Sequence, residues 1–314
     1  MSTRTGARAS IMESMNCPPS NPSRSTVNWL ALSAATLFFL NTISALASAK
    51  LPATGLFSLE GATIRAFDMY VANTESRNAR TLQQGNFLWI DDLQAKAREQ
   101  AYAKLRAGET EMRRVTPDEA GIRISVPGGM IHDWQGIVFI PSANIEEVLR
   151  LLQDYDHHST VYAPDVEKSR LASRDGNHFK AFLRFRRRKV ITVVLNTEHD
   201  ITYFRDSATR AHSRSSATRI AEVEDPGTAK EKEKTPGQDV GFMWRMETWW
   251  RLEEHDSGVY VQNEVVSLSR DIPKGLGWMI EPFVTSIPRE SLAFTMEATR
   301  KGVLSRKNPT ASLP

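Results

Sequence analysis

Three polar side chains stand on predicted strand faces that are otherwise apolar or small, and they are the strongest candidates for chemistry. His199 and Asn263 each interrupt an apolar face, and Arg219 follows a face of small residues. A buried polar group needs a hydrogen-bond partner. If the strands bring these three together, they could orient the head group of a ligand, or His199 could carry a proton. The alternative is a histidine at a strand end, bonded to Glu198, Asp200 or the backbone.

The densest run of positive charge lies where the sequence predicts a hairpin between two strands. It consists of Arg184, Arg186, Arg187, Arg188 and Lys189. Against an anionic membrane surface, each of these residues would contribute about 1 kcal/mol of attraction. The alternative is a solvated hairpin paired with nearby acidic residues, because most runs of like charge face water.

Sequence patterns for several other kinds of site are missing. The remaining histidines are scattered and show no HExxH spacing, so no metal is expected. There is no GxSxG nucleophile motif and no phosphate-binding loop. The Gly275-Leu276-Gly277 segment lacks the third glycine of a dinucleotide-binding loop. We therefore expect no cofactor.

The one long apolar run, residues 28–46, lies near the N-terminus. Arg24 precedes it and the small residues Ala-Ser-Ala at 47–49 follow it, a pattern typical of an export signal that is removed after Ala49. The run also approaches the ~20 residues that cross a membrane, so an uncleaved anchor is the alternative, and a buried helix is a third. We expect an exported protein, periplasmic or secreted. Removal of the signal would also remove Cys17, the single cysteine, which excludes disulfides.

The composition is that of a folded chain with balanced charge. Of the 314 residues, 40% are hydrophobic and 25% are charged, which allows a packed core. The formal net charge is +3, and the part after residue 49 holds 37 basic and 36 acidic residues. This balance gives no electrostatic reason to expect binding to nucleic acid.

Long alternating strands must position the candidate side chains. Apolar and polar residues alternate along 179–186, 191–202 and 242–252, as in strands with one buried face. Asp175-Gly176-Asn177 and Asp256-Ser257-Gly258 are turn signals beside such strands. Further strands are predicted at 131–140, 211–223 and 259–267, with a helix at 145–152 capped by Ser142 or Asn144.

A closing amphipathic helix is predicted beyond Gly277. Its inner face has apolar residues at spacings of three and four, and Pro288 should kink or restart it. That face consists of Ile280, Val284, Ile287, Ser291, Phe294 and Ala298.

The expected organisation has four parts. Residues 1–49 form the signal or anchor, and residues 50–128 form a helical preface with short strands that packs on the main domain. The main domain spans residues 129–303, and residues 304–314 form a loose tail.

The order of elements in residues 130–302 resembles that of the START-like superfamily, the polyketide cyclase and lipid transport proteins (SRPBCC). The local sequence pattern is also similar to that of the superfamily in two segments, GMIHDWQGIVFIP and DYDHHSTVYAPDVEKSRLASRDGNHFKAFLRF. The resemblance implies an α+β helix-grip fold, a curved antiparallel sheet of about seven strands around a long C-terminal helix. It further implies a cavity for a lipid or another apolar molecule, although some members are enzymes. The superfamily shares no catalytic motif, so no functional residue is transferred.

In such a fold, the inward side chains of the sheet and the final helix would line the cavity. The alternative is that they fill the core, as buried side chains usually do. A cyclase or aromatase using His199 and a structural component of the cell envelope are the rival functions. The candidate ligand-binding residues are Leu183, Phe185, Leu195, His199, Arg219, Trp244, Met246, Trp250, Asn263, Phe283, Val284, Ile287, Ser291 and Phe294.

Overall fold

Strands dominate the computed structural model, which describes residues 57–115, 124–189, 191–271 and 286–307. The strands are β1 (Phe57–Ser58), β2 (Glu111–Arg114), β3 (Gly129–Pro141), β4 (Val166–Asp175), β5 (His178–Arg188), β6 (Thr192–Arg205), β7 (Arg210–Glu224), β8 (Lys232–Glu233), β9 (Gln238–Asp239), β10 (Arg245–His255) and β11 (Gly258–Arg270). The helices are α1 (Gly61–Gln83), α2 (Ala95–Arg106), α3 (Ile145–Leu152), α4 (His158–Val161) and α5 (Ile287–Lys307).

The main sheet is antiparallel throughout its described length. Its strand order is β2-β3-β11-β10-β7-β6-β5-β4, with the short β8 beside β7. The predicted α+β helix-grip arrangement is confirmed, with α5 against one face of the sheet. The sheet has nine strands where about seven were predicted, because the preface supplies β2 as an edge strand beside β3 and the short β8 pairs with β7.

The inner face of the sheet packs against α3 and α5. Leu292 and Met296 of α5 lie over Gly136 of β3, where an added Cβ would stand 3.4 Å and 3.0 Å from their Cγ atoms. The missing side chain therefore allows close contact between helix and sheet. Asn144 caps α3 by accepting a hydrogen bond from the Glu147 backbone N–H at 3.0 Å.

The outer face of the sheet is covered by the preface. Phe67 and Tyr70 of α1 belong to a buried cluster with Trp249 and Leu268 of the sheet. Leu105 of α2 belongs to a second cluster with residues of β3 and β11. Both faces of this part of the sheet are thus shielded from water, as in a three-layer domain.

The buried side of the described helix α5 matches the predicted inner face only in part. Ala298 is buried as predicted, whereas Ser291 and Phe294 are partly buried. Leu292, Met296, Thr299 and Val303 are buried as well. Pro288 stands in the first turn of the described helix, where its missing N–H costs little. Among the described residues, none of the helices combines the length and the hydrophobicity that a membrane span requires.

Candidate functional site

A cavity of about 270 Å³ lies between the inner face of the sheet and the first turns of α5. Its walls come from most strands of the sheet, from α3 and α4, and from α5, and they are mainly apolar. This volume is slightly below the ~300–1,000 Å³ of sites that hold drug-sized molecules, so the cavity suits a small ligand.

Most of the predicted site residues that the structure describes meet in this cavity. Three others, Arg219, Trp244 and Phe294, lie elsewhere, and Phe283 and Val284 fall outside the described residues. The predicted residues that line the cavity are Leu183, Phe185, Leu195, His199, Met246, Trp250, Asn263, Ile287 and Ser291.

Arg219 does not converge with His199 and Asn263, so that part of the prediction is wrong. On β7, Ala217 pairs with His199 whereas Arg219 pairs with Glu198, which leaves Thr218 as an extra residue in a β-bulge. A bulge shifts the alternation by one residue, so Arg219 points to the outer face. There it forms ion pairs with acidic side chains, those of Glu198 and Glu233.

Trp244 was also placed wrongly, because it precedes β10 and the alternation does not extend to it. It packs in the cluster beneath α1, and its Nε1–H donates to Asp239 Oδ1 at 2.8 Å. Phe294 lies on the flank of α5 and packs against the core, with the guanidinium of Arg187 6.0 Å from its ring centre.

His199 is buried in the cavity wall and makes one clear hydrogen bond. The Thr197 hydroxyl donates to the Leu183 carbonyl at 3.0 Å and lies 2.8 Å from His199 Nε2. Because the hydroxyl proton is already used, His199 Nε2–H must be the donor to Thr197. The neutral ring then carries an acceptor lone pair on Nδ1, which lies 3.5 Å from the Ser215 hydroxyl.

Burial keeps the cavity histidines uncharged. It lowers the pKa of His199 to about 4, and the nearby His158 adds to that shift. Burial likewise lowers the pKa of His158 and His132 to about 4 each. All three rings are therefore neutral at pH 7.

Sequence reasoning missed several lining residues. His132 and Trp134 of β3 line the cavity, and the alternation of His132, Trp134 and Gly136 on one strand face was the available signal. Tyr155 and His158 also line it, but they come from short turns whose side-chain directions no simple period gives.

Asn263 is the polar side chain of the wall with an unmet hydrogen-bonding requirement. Its side chain is 2% exposed, and its Oδ1 has no hydrogen-bond partner among the described residues. Its neighbours in register are Gly136 of β3 and Trp250 of β10.

Hydrogen bonds at the cavity wall join the sheet to α5. Arg187 of β5 donates from Nε and Nη2 to the Ser291 hydroxyl at 3.0 and 2.8 Å. The same guanidinium contacts Asp165 Oδ2 at 2.5 Å. The charge of Arg187 is thus balanced inside the chain.

Most other basic side chains of the hairpin also form ion pairs with acidic side chains. Arg188 is exposed to solvent. The predicted contact with an anionic membrane stays a prediction. The ion pairs of the hairpin join Arg184 to Glu167 and Glu231, Arg186 to Glu167, Arg187 to Asp165, and Lys189 to Glu290.

The arrangement places an apolar cavity beside buried polar side chains such as those of His199 and Asn263. It presents no unbalanced charge from these groups, and no cluster of three or more His, Cys, Asp or Glu side chains suited to a metal occurs among the described residues.

Similar solved structures include a protein of Thermus thermophilus, at 16% identity and a TM-score of 0.40, covering 55% of this chain and 97% of the other. A STAR-related lipid transfer protein from Xanthomonas axonopodis is 17% identical with a TM-score of 0.39, covering 61% and 98%. The Zhui aromatase/cyclase from a Streptomyces species is 11% identical with a TM-score of 0.38, covering 58% and 99%. The matched structures include members of the helix-grip superfamily. No family model and no curated protein matches the chain.

Proposed function

We propose that this protein binds a lipid or another apolar small molecule in the cavity between the sheet and α5. The observation that supports the proposal is the cavity itself, about 270 Å³ of space in an otherwise packed interior. Folded cores are normally close-packed, and an apolar void costs free energy. Filling it with ligand carbons would recover ~0.8 kcal/mol for each buried methylene group.

The size of the cavity limits the ligand. A volume of about 270 Å³ suits a single short chain or a pair of fused rings. A phospholipid with two long chains would require α5 or the adjoining segment to move.

Binding is favoured over catalysis because of the state of His199. An efficient general base has a pKa near the working pH, whereas burial lowers the pKa of His199 to about 4. Arg219, the predicted partner of His199, lies on the other face of the sheet. A cyclase or aromatase activity therefore lacks the polar convergence that would support it.

We also propose that residues 1–49 direct export. The support is the sequence pattern alone, since these residues lie outside the described part of the chain.

The binding proposal is tested by filling the cavity. Ser215 is a small residue of the cavity wall, so Ser215→Phe would place a ring in the space that a ligand needs. Equilibrium dialysis with 1-methylnaphthalene should show one saturable site per chain, and the variant should bind at least tenfold more weakly.

The matched control is Ser173→Phe on the exposed edge strand β4. It introduces the same ring away from the cavity and should bind the probe as the unaltered protein does. Equal binding by all three proteins, or no saturable binding by any, contradicts the proposal.

A further inference from the structure

The described residues that line the cavity include one cation and one anion at pH 7, and these two contact each other. They are Arg187 of β5 and Asp165, which precedes β4, and Arg187 Nη2 lies 2.5 Å from Asp165 Oδ2. The histidines of the wall are neutral at this pH, because burial lowers the pKa of each to about 4. The charge that a ligand meets in the described wall is therefore set by this one pair.

Both members of the pair keep accessible surface. The side chain of Arg187 is 26% exposed and that of Asp165 is 13% exposed, and both residues line the cavity. The Ser291 hydroxyl accepts two hydrogen bonds from the guanidinium, at 3.0 and 2.8 Å, which hold Arg187 at the wall. A ligand in the cavity can therefore contact the pair.

Asp165 is the acid that balances Arg187. Within the described part of the chain, Arg187 forms its ion pair with Asp165, and the basic residues on either side of it pair with other acids. Those other ion pairs join Arg186 to Glu167 and Lys189 to Glu290. Without the charge of Asp165, the guanidinium would attract anions into the cavity, because charges interact more strongly where water is displaced.

With Asp165 in place, a ligand carboxylate is disfavoured for two reasons. The carboxylate would lose its hydration on entering a mainly apolar cavity. It would also repel the carboxylate of Asp165 while competing with it for the single positive charge of Arg187. An uncharged group of the same shape avoids both penalties.

We propose that Asp165 sets the charge preference of the cavity, so that the ligand is an uncharged, mostly apolar molecule and carboxylates of the same shape are excluded. This inference rests on the proposed function and names the class of ligand for the same cavity. Asp165 determines specificity by cancelling a positive charge that would otherwise recruit anionic ligands.

Two probes of the same shape test the preference. 1-Naphthamide is uncharged, and 1-naphthoate has a carboxylate in place of the amide. Equilibrium dialysis of the full chain at pH 7 should show 1-naphthamide binding at least tenfold more tightly than 1-naphthoate, because only the second probe must bury a charge. Equal or tighter binding of 1-naphthoate by the unaltered protein would overturn the inference.

Asp165→Asn assigns the preference to one side chain. It keeps the shape and removes the charge, so 1-naphthoate should bind at least tenfold more tightly than to the unaltered protein, whereas 1-naphthamide should bind about equally. The matched control is Glu167→Gln, because Glu167 also pairs with the basic hairpin but does not line the cavity. A folded Asp165→Asn variant without this gain, or the same gain in the control, would contradict the role of Asp165.

The reciprocal variant keeps the inference testable if Asp165→Asn does not fold. Arg187→Gln leaves the negative charge of Asp165 unbalanced, so this variant should bind 1-naphthylmethylammonium at least tenfold more tightly than the unaltered protein does. A folded variant with no such gain would show that the pair does not set the charge that a ligand meets.

Binding of 1-methylnaphthalene separates this inference from the proposed function. If this probe binds at one saturable site and the protein does not discriminate between 1-naphthamide and 1-naphthoate, the proposed function stands and the charge preference is overturned. If none of the uncharged probes binds in a saturable manner, the proposed function fails and the inference fails with it.

Discussion

Three buried histidines make the stability of this protein depend on acidity. The rings of His132, His158 and His199 are neutral in the folded protein because burial lowers the pKa of each to about 4. In the unfolded chain they are protonated below pH 6.5. Their contribution to stability is therefore complete above pH 6.5 and is lost as the pH falls from 6.5 towards 4.

His199→Gln tests this linkage at one site. The glutamine amide can replace the Nε2–H that contacts Thr197 but cannot be protonated. We expect a loss of about 1 kcal/mol at pH 7. Between pH 6.5 and 4, the free energy of unfolding should fall less in the variant than in the unaltered protein. The difference between the two proteins should reach about 3 kcal/mol at the acid end of this range.

The measurement is urea denaturation at several pH values across this window. Burial raises the pKa of Asp239 to about 6, so protonation of this carboxyl stabilises the folded protein as the pH falls. Both proteins contain Asp239, so the comparison between them removes its contribution. Identical pH profiles for the two proteins would show that His199 titrates normally, which would contradict a buried neutral ring.

Polar residues on apolar strand faces could be recognised from the sequence, and this was sufficient for His199 and Asn263. It failed for Arg219 because the extra residue Thr218 reverses the alternation between Ala217 and Arg219. A single bulge has no distinctive sequence signature in this run of small and polar residues, so the direction of Arg219 required the structure.

Helix α1 is joined to the outer face of the sheet by buried charges. Arg77 forms an ion pair with Glu264 and lies 3.9 Å from Asp133, and both acids are about 1% exposed. Tyr70 of α1 donates to the same Asp133 at 2.9 Å. Burial, with the neighbouring Glu264, raises the pKa of Asp133. Arg77 is therefore the main compensating charge that α1 supplies.

Arg77→Met should strongly destabilise the protein, because it leaves buried carboxylates without their cation. We expect a loss of about 3–5 kcal/mol, the usual cost of removing one partner of a buried pair. The control is Arg80→Met on the exposed side of the same helix, which should change stability by less than about 0.5 kcal/mol. Equal losses in the two variants, measured by urea denaturation, would contradict the role given to Arg77.

Local patterns predicted the strands better than the helices. The strands alternate over ten or more residues, which fixes their faces. Helix α1 could not be given bounds within the predicted helical preface, because its buried side includes Thr63, Ala66 and Thr74, which give little hydrophobic contrast. The face of α5 was predicted only in part. Ile287 and Ser291 line the cavity and Ala298 is buried, but the burial of Met296 and Thr299 was not predicted.

The packing of the preface, the sheet and the helices α3 and α5 determines where the space for a ligand arises. The preface covers the outer face of the sheet, and α3 and the later turns of α5 pack closely on the inner face. The sheet extends beyond that contact, and the first turns of α5 bridge the remaining gap through Ser291 and Arg187. The sequence predicted this architecture from element order, but the volume of the gap depends on packing that no period encodes.

A crystal structure of the full chain grown with 1-methylnaphthalene tests the central claim most directly. We predict electron density for one probe molecule between the sheet and α5, with its rings against Trp250. A cavity filled by the protein's own side chains, or a probe found only on the outer surface, would contradict the claim.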